Sequence, residues 1–211
     1  MANKSVRRLQ VLTPRHPRYV VWELTLACDQ RCSHCGSRSA QVRPGELNTA
    51  EAVAVVHELA ALGTREVSLI GGEAYLHPGF LDVLAALRAA GIGANLTTGG
   101  RGITAELAAA AARAGLQAAS VSIDGLEPTH DLLRATRGGF RAAMDAISHL
   151  RVAGVQVGCN TTLNRLNVSE LESLYEVLKA ALVRGWQVQL MAALGRAADR
   201  PQLLLQPWEL L

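Results

Sequence analysis

The sequence predicts an α/β fold, an open and curved (β/α)6 partial TIM barrel with parallel strands. Short, nearly continuous apolar runs alternate with longer amphipathic ones from Tyr19 onward. The short runs read as strands buried on both faces and the longer ones as helices. Regular alternation of the two makes parallel β/α units the economical topology. Six strands in 211 residues fall short of a closed eight-stranded barrel, which takes about 250. A flat, doubly wound sheet is the alternative.

Tyr19–Leu26 is the first strand. Asn48 or Thr49 caps the helix Thr49–Leu62, with Glu51 in its first turn and Gly63 past its end. Strand Glu66–Ile70 leads to helix Pro78–Ala90, where Pro78 suits a first turn and Gly91 a C-terminal cap. Strand Ala94–Thr97 precedes helix Thr104–Ala114, closed by Gly115; its alanines are strong helix formers and need no functional explanation. Ala118–Ile123 is the fourth strand, and a short helix opens at Thr129-His130-Asp131. Helix Phe140–Ala153 ends at Gly154, strand Val155–Asn160 follows, and Gly185 closes helix Val168–Arg184. Gln187–Leu190 is the last strand.

Residues 1–18 read as an N-terminal arm in which Lys4, Arg7, Arg8, Arg15 and Arg18 are a solvated charge cluster. The core is expected to span 19–191. Residues 192–211 read as a connection and then, at Pro207-Trp208-Glu209-Leu210-Leu211, the first turn of a further helix. The chain thus reads as truncated.

A hydrophobic content of 49% is ample for one large domain, with Ala, Val and Leu filling a core poor in aromatics. A formal charge of +3 is too weak to argue for nucleic acid. No apolar run is long enough to span a membrane and no secretory signal opens the chain, so a cytoplasmic location is expected. In that reducing compartment clustered cysteines read as metal ligands rather than disulfides.

Ligands in β/α folds gather beyond the C-terminal ends of the strands. The first strand delivers Cys28-Asp29-Gln30-Arg31-Cys32-Ser33-His34-Cys35. Iron–sulfur clusters are normally held by four thiolates. Three close thiols imply a cluster with one iron left open, and an open metal position is where chemistry happens. The remaining cysteine, Cys159, reads as a buried free thiol. His34 reads as packing beside the cluster rather than binding metal.

The second strand ends in Gly71-Gly72-Glu73, where glycines let a ligand approach the backbone and Glu73 adds charge. Thr98 and the Gly99-Gly100 turn end the third. The fourth ends in Ser122-Ile123-Asp124-Gly125, and strand alternation puts Ser122 and Asp124 on one face, placed to bond a ribose. Arg134 follows. Asn160 on the fifth strand faces the same ribose, and Met191 ends the sixth.

The C-x-x-x-C-x-x-C spacing, the Gly-Gly-Glu and the stretch from Ser122 to Arg134 together resemble the radical S-adenosylmethionine (radical SAM) enzymes, over roughly Tyr19 to Met191. The similarity is greatest to the branch whose core precedes a cysteine-rich, SPASM/twitch-type extension. It implies that Cys28, Cys32 and Cys35 bind three irons of a [4Fe–4S] cluster whose fourth iron chelates SAM. It also implies that Gly71, Gly72 and Glu73 hold the SAM amino group and that Ser122 contacts SAM. Arg134 would pair with the carboxylate, to which a planar guanidinium is suited, and backbone at Met191 would meet the adenine. Reductive cleavage of SAM would then give a 5′-deoxyadenosyl radical for hydrogen abstraction. A one-electron donor such as flavodoxin or ferredoxin is implied, with a peptide, protein or peptide-derived cofactor as substrate.

Two departures stand out. Gly36 follows the third cysteine where an aromatic residue is usual, and the extension cysteines are absent. Two rival readings remain at this point: a zinc-binding interaction domain using the trio with His34 or Cys159, and a non-catalytic fragment of a radical SAM protein.

Overall fold

Residues 16–210 are described by the computed structural model. Their strands form one parallel sheet in the order β1-β2-β3-β4-β5-β6, each paired with its neighbours in sequence. The strands are β1 (Tyr19–Thr25), β2 (Glu66–Gly71), β3 (Gly93–Thr98), β4 (Leu116–Ser122), β5 (Gln156–Leu163) and β6 (Trp186–Leu190). The helices are α1 (Thr49–Ala61), α2 (Phe80–Ala89), α3 (Ala105–Ala114), α4 (Glu127–Arg134), α5 (Gly139–Val152) and α6 (Leu171–Ala180). The N-terminal arm expected from the sequence lies almost wholly outside the described residues, as does Leu211. None of the described helices is long and apolar enough to cross a membrane.

Local chemistry accounts for most boundaries. Asn48, not Thr49, caps α1: its Oδ1 accepts from the Glu51 amide at 3.1 Å, and Glu51 Oε2 accepts from the Asn48 amide at 2.9 Å. Thr104 caps α3 through the Leu107 amide. Helix α2 starts at Phe80 rather than Pro78. The chain first makes a short 3-10 turn at Ala74–Leu76, and His77 Nδ1 then takes the Gly79 amide. Helix α6 stops at Ala180, four residues before Arg184. Leu182 turns left-handed (φ 57°), and the Arg184 amide already donates to Val157 O at 2.8 Å, in line with the sheet.

One expectation is corrected. The strands are not apolar on both faces. Val67, Leu69, Ala94, Leu96, Ala119, Val121, Val157 and Cys159 are buried in one core with Leu84, Leu87, Ile147, Leu150, Leu174 and Leu178 of the helices. By strand alternation the opposite face carries Ser68, Asn95, Thr97, Ser120, Ser122, Asn160, Thr162, Gln187 and Gln189. A closed barrel fills its interior with layers of apolar side chains. Six strands do not close, so the inner wall keeps a polar face, and a cavity opens at its C-terminal rim.

Candidate active site

After β1 the chain enters a loop cinched at its base. Ala27 and Ala40 form a parallel bridge; the Ala40 amide donates to Leu26 O at 3.0 Å and the Cys28 amide to Ala40 O at 3.3 Å. Ser33 pins the loop to the end of α4, its amide and hydroxyl donating to Leu133 O at 2.7 and 3.0 Å. Cys28, Cys32 and Cys35 thereby line one wall of a cavity of about 480 Å³, and all three are free thiols.

The end of β2 lines the same cavity beside the loop. A Cβ on Gly71 (φ 144°) would overlap the Thr25 carbonyl oxygen, and one on Gly72 the Ala27 carbonyl oxygen. The glycines therefore let β2 ride against the root of the cysteine loop, where the Gly72 and Glu73 amides donate to Thr25 O and Ala27 O at 2.8 and 2.7 Å. Glu73 is only 2% exposed. Its two carboxylate oxygens accept from Thr98 Oγ1 at 2.5 Å and from the Gly99 amide at 2.7 Å. Burial nevertheless pushes its carboxyl up to about 7.

The donors present fit an iron–sulfur cluster. Three free thiols, Cys28, Cys32 and Cys35, line one cavity, and thiolates are the ligands such a cluster takes. Burial pushes the Cys28 thiol up to about 11 and raises Cys32 as well. Gln30 Nε2, Asp29 Oδ1 and His34 Nδ1 are buried without partners in the same loop. Cys159 is elsewhere: it is 1% exposed within the apolar core on the helix side of β5, and burial pushes its thiol up to about 12. His34 spends Nε2 on Asp124 Oδ2 at 3.0 Å. Of the two candidates for a fourth zinc ligand, Cys159 is turned away into the apolar core, and His34 has one of its two ring nitrogens on Asp124.

Of the residues expected at the site, Gly71, Gly72, Glu73, Thr98, Ser122, Arg134 and Met191 line the cavity with the three cysteines. Thr98 acts on Glu73, since its hydroxyl donates there and accepts the Gly100 amide. Asp124 and Asn160 are not among the lining residues. Asp124 is fully buried, and both its oxygens are committed. Oδ2 takes Arg134 Nε and Nη2 at 2.7 Å each, and Oδ1 takes the Thr162 amide at 2.8 Å. Burial alone would raise this carboxyl; Arg134 and His34 hold it well below the usual carboxylate range. In this structure it fixes Arg134 and His34 and does not line the cavity. Asn160 lies on the inner wall two residues short of Thr162, and Thr162 takes the place at the cavity. The other edge of Arg134 faces the cysteine loop, with Nη1 3.4 Å from Gln30 Oε1 and 3.7 Å from Cys32 Sγ.

Sequence reasoning passed over Gln30, Thr162, Gln189 and Arg196, which also line the cavity. Alternation with Asn160 and Gln187 could have found Thr162 and Gln189. Nothing in the spacing marks Gln30 or Arg196.

Residues 22–178 match the radical SAM superfamily. The chain is 33% identical over 189 residues to the AdoMet-dependent heme synthase of Methanosarcina barkeri, covering 89% of this chain and 54% of that protein. It is 30% identical over 177 residues to the sporulation killing factor maturation protein SkfB of Bacillus subtilis, covering 84% of this chain and 43% of that one. The crystal structure of Streptococcus suis SuiB bound to S-adenosylmethionine superposes with a TM-score of 0.74 at 15% identity, covering 84% of this chain and 41% of SuiB. The chain spans about half the length of the curated relatives it matches. With most of its length matched and the cysteine trio lining one cavity with the Gly-Gly-Glu turn, the chain belongs to the radical SAM superfamily, whose members use a [4Fe–4S] cluster and SAM.

Proposed function

We propose that this chain is the SAM-cleaving core of an enzyme that modifies a peptide or protein side chain. Cys28, Cys32 and Cys35 would hold the [4Fe–4S] cluster. Glu73 would take the SAM amino group, Ser122 and the cavity edge of Arg134 its carboxylate, and the backbone at Met191 its adenine. The observation that carries this reading is one cavity bounded by three free thiols and a buried carboxylate already oriented by Thr98 and Gly99. Bound there, the two cofactors would supply one-electron C–S cleavage and hydrogen-atom abstraction. The chain's residues orient SAM and screen the site from water. An electron donor such as flavodoxin or ferredoxin completes the scheme.

The names of the relatives divide between heme synthesis and peptide maturation. The inner wall favours a peptide. None of the six strands contains a lysine or arginine, and the two arginines that line the cavity from outside the sheet, Arg134 and Arg196, are engaged with Asp124 and with carbonyls of the cysteine loop. A substrate with several carboxylates calls for cationic partners, whereas amides and hydroxyls match the donors and acceptors of a peptide backbone.

Anaerobically reconstituted protein given dithionite and SAM is expected to release 5′-deoxyadenosine and methionine. A colourless zinc protein that leaves SAM intact would reject the reading.

Affinity for SAM should depend on pH through Glu73. Burial pushes this carboxyl up to about 7, and it must be ionised to accept with both oxygens from the SAM amino group. Lowering the pH from 8 to 6 should therefore weaken binding roughly tenfold, and Glu73→Gln should flatten that dependence. The effect on folding has the opposite sense. A carboxyl raised in the folded state contributes stability below its unfolded value of about 4.5 and loses it as the pH rises through about 7. Calorimetric SAM titrations at several pH values check the first statement, and urea unfolding of the apoprotein checks the second.

A further inference from the structure

The segment after β6, outside the core expected from the sequence, lies directly on the cysteine loop. Gly195–Ala197 forms a short 3-10 turn there. The Arg196 amide donates to Cys35 O at 2.9 Å. Its Nε donates to Cys32 O at 2.7 Å, and Nη1 and Nη2 donate to Ser39 O at 3.2 and 3.3 Å. Arg200 Nη1 reaches Ser33 O at 3.2 Å. From the loop, Arg38 donates to Gly195 O at 2.8 Å and pairs with both oxygens of Asp199 at 2.7 and 2.8 Å. Gly195 (φ 53°) sits so close that a Cβ would overlap the carbonyl oxygens of Cys35 and Gly36.

We propose that Gly195–Arg200 is the clasp of the cluster-binding loop and that Arg196 is its principal positioning residue. This rests on the cluster reading above. One planar fork spans the carbonyls of Cys32 and Ser39, while the amide of the same residue holds Cys35. Two of the three ligand residues are thereby fixed to one side chain and its backbone. A loop ordered in advance loses less conformational entropy when it takes up its cluster. The guanidinium also places a positive charge beside a site that gathers thiolates and carboxylates. Lysine, a point donor on a flexible stem, cannot span both carbonyls.

The test uses the full chain, reconstituted anaerobically, as wild type, Arg196→Ala, Arg196→Lys and Gly195→Val. Iron per chain and the rate of iron loss to a chelator are measured, with circular dichroism of the apoproteins as the check on folding. Wild type should hold about four irons. Arg196→Ala should lose iron at least tenfold faster, with its apoprotein spectrum unchanged. Arg196→Lys should not rescue it. Gly195→Val, which keeps Arg196 but wedges the clasp off the loop, should behave like Arg196→Ala and decides the matter if that variant folds poorly. Wild-type iron retention in both Arg196→Ala and Gly195→Val would overturn the clasp alone. A wild type that takes up no cluster would overturn the cluster reading and the clasp with it.

Discussion

Replacing any one of Cys28, Cys32 and Cys35 with alanine is expected to abolish the iron–sulfur cluster, and Cys159→Ala to leave it intact. The trio is carried by one loop and lines one cavity, so each change removes a ligand that no neighbouring thiol can replace. Cys159 points into the apolar core behind β5. Truncating it removes one small buried group, at a cost of order 1 kcal/mol by analogy with other small core deletions. Iron and sulfide analysis of the four reconstituted variants is the check. Cluster loss in Cys159→Ala would mean that the site draws on a fourth thiol.

The second large effect is on folding. Asp124→Ala should destabilise the apoprotein by about 3–5 kcal/mol, because it leaves the Arg134 guanidinium buried without its counter-charge. That is a large part of the ~5–15 kcal/mol that holds a domain together. Arg134 is 8% exposed and makes its two shortest contacts with Asp124. Replacing both residues with apolar ones of similar volume should recover much of the loss, as removal of a whole buried pair often does. Urea unfolding of the two variants measures both. The pH dependence follows from the depressed Asp124 carboxyl. Its contribution is present above its unfolded value of about 3.8 and is lost only as the pH falls below that toward the lower folded value. A single variant as stable as wild type would show that Arg134 finds another partner.

The fold was legible because its signals are local. Strand runs, the Asn48 and Thr104 caps and the glycines after helices lie within a few residues of what they determine. The cysteine spacing and Gly71-Gly72-Glu73 were legible for the same reason. The partnership of Asp124 with His34 and Arg134 was not. His34 is 90 positions away in sequence and meets Asp124 only when the loop after β1 folds over the end of β4. A strand-end aspartate that binds a ribose and one that anchors an arginine have the same spacing. Arg196 was read as part of a connection because an arginine that donates to carbonyls has no sequence signature; its partners, Cys32 and Ser39, come from the first strand's loop. The polar inner wall was missed for another reason. Serine, threonine and asparagine are short, and in strands of five to eight residues they interrupt the apolar runs too briefly to reveal that only one face is covered.

The central claim is that three thiolates of this chain hold a cluster and leave one iron for SAM. Electron paramagnetic resonance of the dithionite-reduced, reconstituted protein, recorded before and after SAM is added, tests it most directly. The account predicts a [4Fe–4S] signal whose g values shift on adding SAM, with the shift weakened in Glu73→Gln and no signal at all in Cys32→Ala. A cluster signal that SAM leaves unchanged at saturating concentration would contradict it.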